Sequence, residues 1–205
     1  MTIDPQIRIR PYSPLKPQQG ILTFNNKEYT CHVGRNGIGH KIMEGDGITP
    51  VGDFCIRMGF YRPDKVKCLH LSNNNNYDDN NKVREKAHTH ENSSLISKIT
   101  GIPMIEMKQE YGWCDDMFDE IHYNRLVRLP IPSSHEKLWR DDDLYDIVLV
   151  LGYNDNPIIL GKGSAIFMHI TNNGPTSGCI ALAREDLYEI LTQITPYTTI
   201  HISIE

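Results

Sequence analysis

Apolar and polar positions alternate along much of this chain, and the alternation predicts a β-rich protein. "GILTF" (20–24) and "KEYTCHV" (27–33) are short apolar and β-branched runs separated by Asn25 and Asn26. Asn tolerates the positive φ of a tight turn, so the pair predicts a hairpin. "DFCIRMGFYR" (53–62) predicts a further strand. "YDIVLVLGYN" (145–154) is apolar almost without a break, as in a strand buried on both faces, and "GSAIFMHI" (163–170) reads as another strand. In "TTIHISI" (198–204), Ile200, Ile202 and Ile204 alternate as in a half-buried strand. The helical period appears clearly in "AREDLYEILTQI" (183–194). There Leu187, Ile190, Leu191 and Ile194 share one face, Glu185 and Asp186 occupy the first turn, and Pro196 follows the end.

Between these elements the pattern lapses. "GHKIMEGDGITPVG" (39–52) is dense in Gly and turn formers and reads as a loop. "NNNNYDDNN" (73–81) has too little apolar surface to pack and predicts a mobile surface loop. Residues 102–140, rich in Trp, Asp, Tyr, His and Pro, show no clean period and predict irregular structure with short helices. So long a stretch inside a compact domain points to function. The expected organisation is one domain over residues 1–205, mainly β with few short helices. Residues 73–140 are expected to form a loop-rich insertion bordering the substrate cleft.

Composition narrows the classes. The chain has 205 residues, 39% hydrophobic and 23% charged, which is ordinary for a globular domain large enough to hold a core. Its net charge of -5 gives no basic field for nucleic acid. No apolar run reaches the roughly 20 residues of a membrane span. The N-terminal "MTIDPQIRIRPYSPLKPQQG" lacks an apolar h-region, so no signal peptide is visible, which by itself points to the cytoplasm. The oligomeric state is left open. Five cysteines (31, 55, 68, 114 and 179) at scattered spacing form neither a disulfide framework nor a CxxC zinc motif. The first four read as small buried apolar residues. His88, His90 and Glu91 in "AHTHE" have partial metal-ligand spacing but no third partner. "DDDLYD" (141–146) lacks a calcium-loop Gly, so no metal is expected.

The fifth cysteine stands apart. His169 ends an apolar run, and Cys179 follows the turn-rich "NNGPTSG" ten positions later. A thiol is mostly protonated at neutral pH and needs a neighbouring base to act as a nucleophile, a role His169 can fill. Gly178 permits close backbone approach, and the amides of Gly178 and Cys179 are candidates for an oxyanion hole. Taken alone, one His and one Cys at this spacing are weak evidence for a catalytic pair and more often describe a packed thiol and a surface imidazole.

The surrounding blocks decide between these readings. "DGITPVGDF" (46–54) followed far downstream by "TSGCIAL" (176–182) resembles the YkuD-type L,D-transpeptidase domain family. The chain is similar to one proteobacterial branch of it, in which "EGDGITPVGDF", "YGWCDDMFDE", "YNRLVRLP", "SHEKLWRDDDLYD", "LGYNDNP" and "GKGSAIFMH" recur in this order. The resemblance runs from about Gly20 to the C-terminus. It implies a mixed β-sandwich around a Cys–His acyl-transfer site. Cys179 matches the family nucleophile, His169 its base, and Thr176 and Gly178 the Ser/Thr and Gly of its motif. Ser177 stands where the family motif has a second His, Ala181 stands where it often has an Arg, and the gap from His169 to Thr176 is shorter than usual. Ser177 is a candidate substitute hydrogen-bond donor. Arg125, Arg128, Arg140 and Arg184 are candidates for the missing cation.

The chemistry implied by the resemblance is peptidoglycan cross-linking. The Cys thiolate attacks the carbonyl of an L-centre in a stem peptide and expels a terminal D-amino acid, and an amine of a second stem takes the acyl group. The donor is diaminopimelate at stem position three or, in members of this branch, the residue at position one. No metal or cofactor is implied, and the partners are stem peptides. That activity belongs in the periplasm or cell wall, in tension with the absent signal. A cytoplasmic L,D-carboxypeptidase that trims muropeptides is the alternative, and a catalytically idle wall-binding module is the third. For the substrate wall, Trp113, Cys114, Asp115, Asp116, Asn124 and Arg125 are candidates. A Trp face packs on peptide or sugar, and an Asp holds an ammonium. The competing reading is a loop anchored by a buried Trp with capping carboxylates.

Overall fold

A computed structural model of the protein describes residues 5–66, 97 and 100–205. The Asn-rich run, the "AHTHE" segment and Cys68 lie outside the described residues.

The N-terminal third builds three strands in sequence, β1 (Gln6–Ser13), β2 (Lys16–Phe24) and β3 (Lys27–His32). The hairpin turns at Asn25 and Asn26, whose φ values of 47° and 64° lie in the left-handed region that Asn tolerates. Two-residue strands β4 (Ile38–Gly39) and β5 (Thr49–Pro50) pair in parallel and brace the base of the Gly-rich loop between them. A long strand, β6 (Gly52–Tyr61), follows.

Later come β7 (Met104–Glu106), β8 (Tyr111–Cys114), β9 (Leu126–Arg128), β10 (His135–Lys137), β11 (Ile147–Leu151), β12 (Phe167–Ile170) and β13 (Ile180–Leu182). A helix, α1 (Arg184–Leu191), and β14 (Thr199–Ile202) complete the chain.

The protein is mainly β, with one nine-stranded mixed sheet in the order β11-β12-β13-β3-β2-β1-β14-β6-β7. A further pairing of β11 with β6 closes this sheet on itself around the core. Ile7, Ile9, Leu22, Phe24, Ile200 and Ile202 point into that core, and the helix covers it with Leu187, Ile190 and Leu191. Full burial of each such side chain contributes about 1.5–3 kcal/mol. Ile204, two residues past the end of β14, is exposed.

β11 explains its own unbroken apolar run. Ile147, Leu149 and Leu151 face the main core, while Val148 and Val150 face a second apolar cluster with Phe60, Trp113, Tyr145, Phe167 and Cys179. A small antiparallel sheet, β10-β8-β9, supplies the outer side of that cluster. Its presence corrects the expectation of short helices over 102–140. The described backbone there forms the short strands β7 to β10, and no helix occurs in that range. Strands of three or four residues are too short to register a period of two in the sequence. No helix among the described residues is long and apolar enough to cross a membrane.

Candidate functional site

β12 and β13 are adjacent and parallel, with Met168 opposite Ile180 and His169 opposite Ala181. Side chains alternate across a strand. Met168, Ile170, Ile180 and Leu182 therefore fill the core, and Phe167, His169, Cys179 and Ala181 share the opposite face. That face forms the floor of a cavity of about 580 Å3. Cys179, His169, Thr176, Ser177, Glu44, Asp115, Glu136, Arg140 and Tyr145 all line it.

The thiol is held in place. Cys179 Sγ donates to Ala165 O at 3.2 Å and accepts from Phe167 N at 3.3 Å. The residue is 7% exposed. Burial pushes its pKa far up, the nearby Glu136 carboxylate adds to the rise, and the Phe167 amide and the Lys41 charge oppose it. His169 is equally enclosed, with its ring edge-on to Tyr145 at 5.0 Å between centroids. Burial lowers its pKa to about 4, so the ring is neutral at ordinary pH. Its Nδ1 lies 2.8 Å from Ile170 O. A carbonyl only accepts, so Nδ1 carries the proton and Nε2 keeps its lone pair. The resting site is thus a neutral thiol and a neutral imidazole in one cavity. No hydrogen bond joins the two among the described residues.

The turn before Cys179 is set by Thr176, whose Oγ1 donates to Cys179 O at 2.7 Å and accepts from Gly178 N at 3.1 Å. The Gly178 amide is therefore engaged, which removes it from the expected oxyanion donors and leaves that of Cys179. Thr49 Oγ1 also donates to Gly178 O at 2.9 Å, tying β5 to the turn. Gly178 has φ +142°, a conformation that favours glycine, and a Cβ there would meet Ile48 O at 3.0 Å.

Ser177, at the position of the absent imidazole, accepts from Arg35 Nη1 at 3.1 Å. Arg35 was not among the candidate cations; its only signal was its place at the head of the Gly-rich loop. Of those that were, Arg140 reaches the cavity. Arg184 pairs with Asp146 at 2.7 Å, Arg128 sits exposed on β9, and Arg125 borders a separate depression with Arg57 and Leu126.

The proposed wall residues divide in the same way. Asp115 lines the cavity, and its Oδ1 is buried with no hydrogen-bond partner among the described residues. Trp113 packs edge-on against Phe167, and its Nε1 donates to Asn124 Oδ1 at 3.0 Å. Asn124 also accepts from Ala165 N and donates to the carbonyls of Tyr153 and Asn154. Asp116 accepts from the amides of Phe118 and Ser134. Cys114 is buried and free, as are Cys31 and Cys179, and Cys55 is half-buried. The structure thus brings Asp115 to the cavity of the cysteine, places Trp113 and Asn124 beside Arg125 at the separate depression, and commits Asp116 to backbone amides. Glu44, Glu136 and Tyr145, which reach the cavity, lie within the recurring blocks "EGDGITPVGDF" and "SHEKLWRDDDLYD" but had no local feature to single them out there. Among the described residues no group of three or more His, Cys, Asp or Glu side chains is arranged to hold a metal ion.

A family model for the L,D-transpeptidase catalytic domain, YkuD, matches residues 15–202. The chain belongs to that family. Among solved structures it is similar to L,D-transpeptidase 1 of Mycobacterium tuberculosis. The identity is 10%, with 97% of this chain and 62% of that one covered and a TM-score of 0.34. The chain therefore spans less than two thirds of that structure's length. No curated protein matches it. The L,D-transpeptidase domain gives the cavity on β12 and β13 its context, because Cys179 and His169 both fall inside the matched span.

Proposed function

We propose that this protein is a cysteine-dependent L,D-transpeptidase that cross-links peptidoglycan stem peptides through a thioester on Cys179. The observation that carries this reading is the shared cavity. The imidazole on β12 and the sulfur just before the neighbouring parallel β13 line one cavity, with Nδ1 bonded to Ile170 O.

His169 Nε2 accepts the thiol proton as sulfur attacks the carbonyl carbon of an L-centre. The tetrahedral oxyanion forms beside the Cys179 amide. Its collapse breaks the C–N bond, and the departing D-amino acid takes the proton from His169. The acceptor amine then attacks the thioester, loses its proton to His169 and releases the thiol. With a buried thiol and a neutral ring at rest, ionisation is coupled to substrate binding rather than maintained as a standing ion pair. Thr176 holds the turn, Ser177 presents the Arg35 guanidinium near the rim, and Asp115 and Glu136 offer carboxylates to a stem-peptide ammonium. Residues 104–140, part of the proposed insertion, supply that acidic side of the cleft. The site of action is the periplasmic face of the wall. The donor is the diaminopimelate carbonyl at stem position three or the alanine carbonyl at position one.

The test is intact-protein mass spectrometry after incubation with a stem tetrapeptide and, separately, with a pentapeptide or a carbapenem acylator. An adduct on Cys179 that is lost in Cys179→Ala supports the reading, and unmodified protein with every acylator overturns it. Adding a second stem peptide then separates transfer from hydrolysis. A cross-linked product is expected, whereas release of free acid alone assigns the protein as an L,D-carboxypeptidase.

A further inference from the structure

The Gly-rich loop carries a charge that the proposed reaction has not used. Lys41 extends from it beneath the catalytic turn, its side chain only 2% exposed, and its Nζ lies 2.6 Å from Asp46 Oδ1. Asp46 is itself 11% exposed and also accepts from the amides of Ile42, Met43 and Ile48. A buried ion pair is expensive to desolvate and often adds little stability over an apolar pair of the same size. Its position is therefore informative. A Cβ built on Gly178 would lie 3.7 Å from Lys41 Nζ. On the other side, a Cβ on Gly163 would collide with Lys41 Cε at 2.3 Å, and Gly163 sits at φ +105°. Two glycines thus leave room for one lysine to bring its ammonium against the residue preceding the nucleophile.

The chain from Asn172 to Ala183, which carries the nucleophile, has no charged side chain of its own. We infer that Lys41, braced by Asp46, is a positioning residue that supplies the positive charge stabilising the Cys179 thiolate. The inference rests on the acyl-transfer reading above for its purpose, but not for its measurement. The other titratable or charged groups lining the cavity with Cys179 are His169 from β12, Tyr145 from the segment before β11, Glu136 and Arg140 from β10 and the residues after it, Asp115 after β8 and Glu44 from the Gly-rich loop. Glu136 opposes thiolate formation and Lys41 favours it. With His169 neutral, Lys41 is a cation that acts on the sulfur without first taking its proton.

The experiment is the pH dependence of Cys179 alkylation by iodoacetamide, read at that residue by peptide mass spectrometry in the full chain. Four proteins are compared: wild type, Lys41→Met, Lys41→Arg and the double variant Lys41→Met/Asp46→Asn. The double variant keeps a side-chain oxygen at position 46 to accept from the loop amides and leaves no orphan carboxylate, so it remains informative if Lys41→Met fails to fold. Expected is alkylation about tenfold slower across the neutral to mildly alkaline range in both Met variants, with the wild-type profile restored by Lys41→Arg. An unshifted profile in a folded Met variant overturns the inference. So does a Lys41→Arg protein as slow as the Met variants, since that would mean shape rather than charge. Wild-type protein that forms no acyl-enzyme while the alkylation profiles shift as expected would retire the transpeptidase reading and leave the role of Lys41 standing.

Discussion

The segments 41–48 and 113–125 look opposite in sequence and exchange roles in the fold. The second is full of chemistry-bearing residues, and the first reads as turn formers around one lysine. In the structure, the polar atoms of 113–125 are largely consumed by the protein itself. Asn124 alone ties Trp113, Ala165, Tyr153 and Asn154 together. The 41–48 loop spends Asp46 on its own amides and in doing so pushes Lys41 under the reactive turn, while Glu44 reaches the cavity. A polar side chain acts on a ligand only with the donors and acceptors that folding leaves over. Residue type is visible in sequence, but that remainder is not.

The largest effect that would sharpen this contrast is at Asn124. Asn124→Ala unpairs an indole N–H, an amide and two carbonyls, and a loss of about 4 kcal/mol in urea unfolding is expected. Acylation per folded molecule should fall less than about tenfold, since the side chain is committed to Trp113, Ala165, Tyr153 and Asn154 and does not line the cavity of Cys179. A collapse in acylation with unchanged stability would make Asn124 part of the reactive surface and break the comparison.

Next comes acid stability. The folded-state pKa of His169 lies at about 4, below the ordinary 6.5, so between those values the unfolded chain binds a proton that the folded chain refuses. Stability contributed by the neutral ring is complete above about pH 6.5 and falls as pH drops towards 4, by about 3 kcal/mol in all. Glu136, whose pKa is raised by burial, works in the other direction, so the difference between wild type and His169→Gln isolates the effect. Parallel stability-versus-pH curves for the two proteins would contradict the enclosed ring.

Gly178→Ala tests the turn. The strained φ and the contact with Ile48 O predict about 2 kcal/mol lost in thermal unfolding. Acylation should slow about 100-fold, because displacement of the nucleophile is amplified at the reacting bond. The smallest effect belongs to Asp115→Asn, with a KM for stem peptide raised about threefold to tenfold and little change in kcat, as expected for a carboxylate that meets only a bound ammonium. An unchanged KM would return Asp115 to the framework with its neighbours.

Much of the fold was legible. The hairpin at Asn25 and Asn26, the doubly buried β11 and the apolar face of α1 follow from local pattern, because strand and helix periods reflect burial directly. The strands of 104–137 were not, being too short to show a period. In the site, His169 and Cys179 were legible as a candidate pair from their place in the chain and from the family motif. Lys41 and Arg35 were not, because they come from parts of the sequence far from that motif, and Glu44 and Glu136 sat inside the recurring blocks with nothing local to single them out.

By itself, then, the sequence determined the hairpin at 20–33 and which segments bury, since both depend on neighbours a few residues apart, and it marked one thiol and one imidazole as a candidate pair through the family blocks around them. Only the tertiary structure decided which face of β12 and β13 opens to the cavity, that the ring is neutral with Nε2 unprotonated, and which distant charges surround the sulfur. Burial and electrostatic environment are sums over everything nearby in space, and a linear chain does not record what lies nearby.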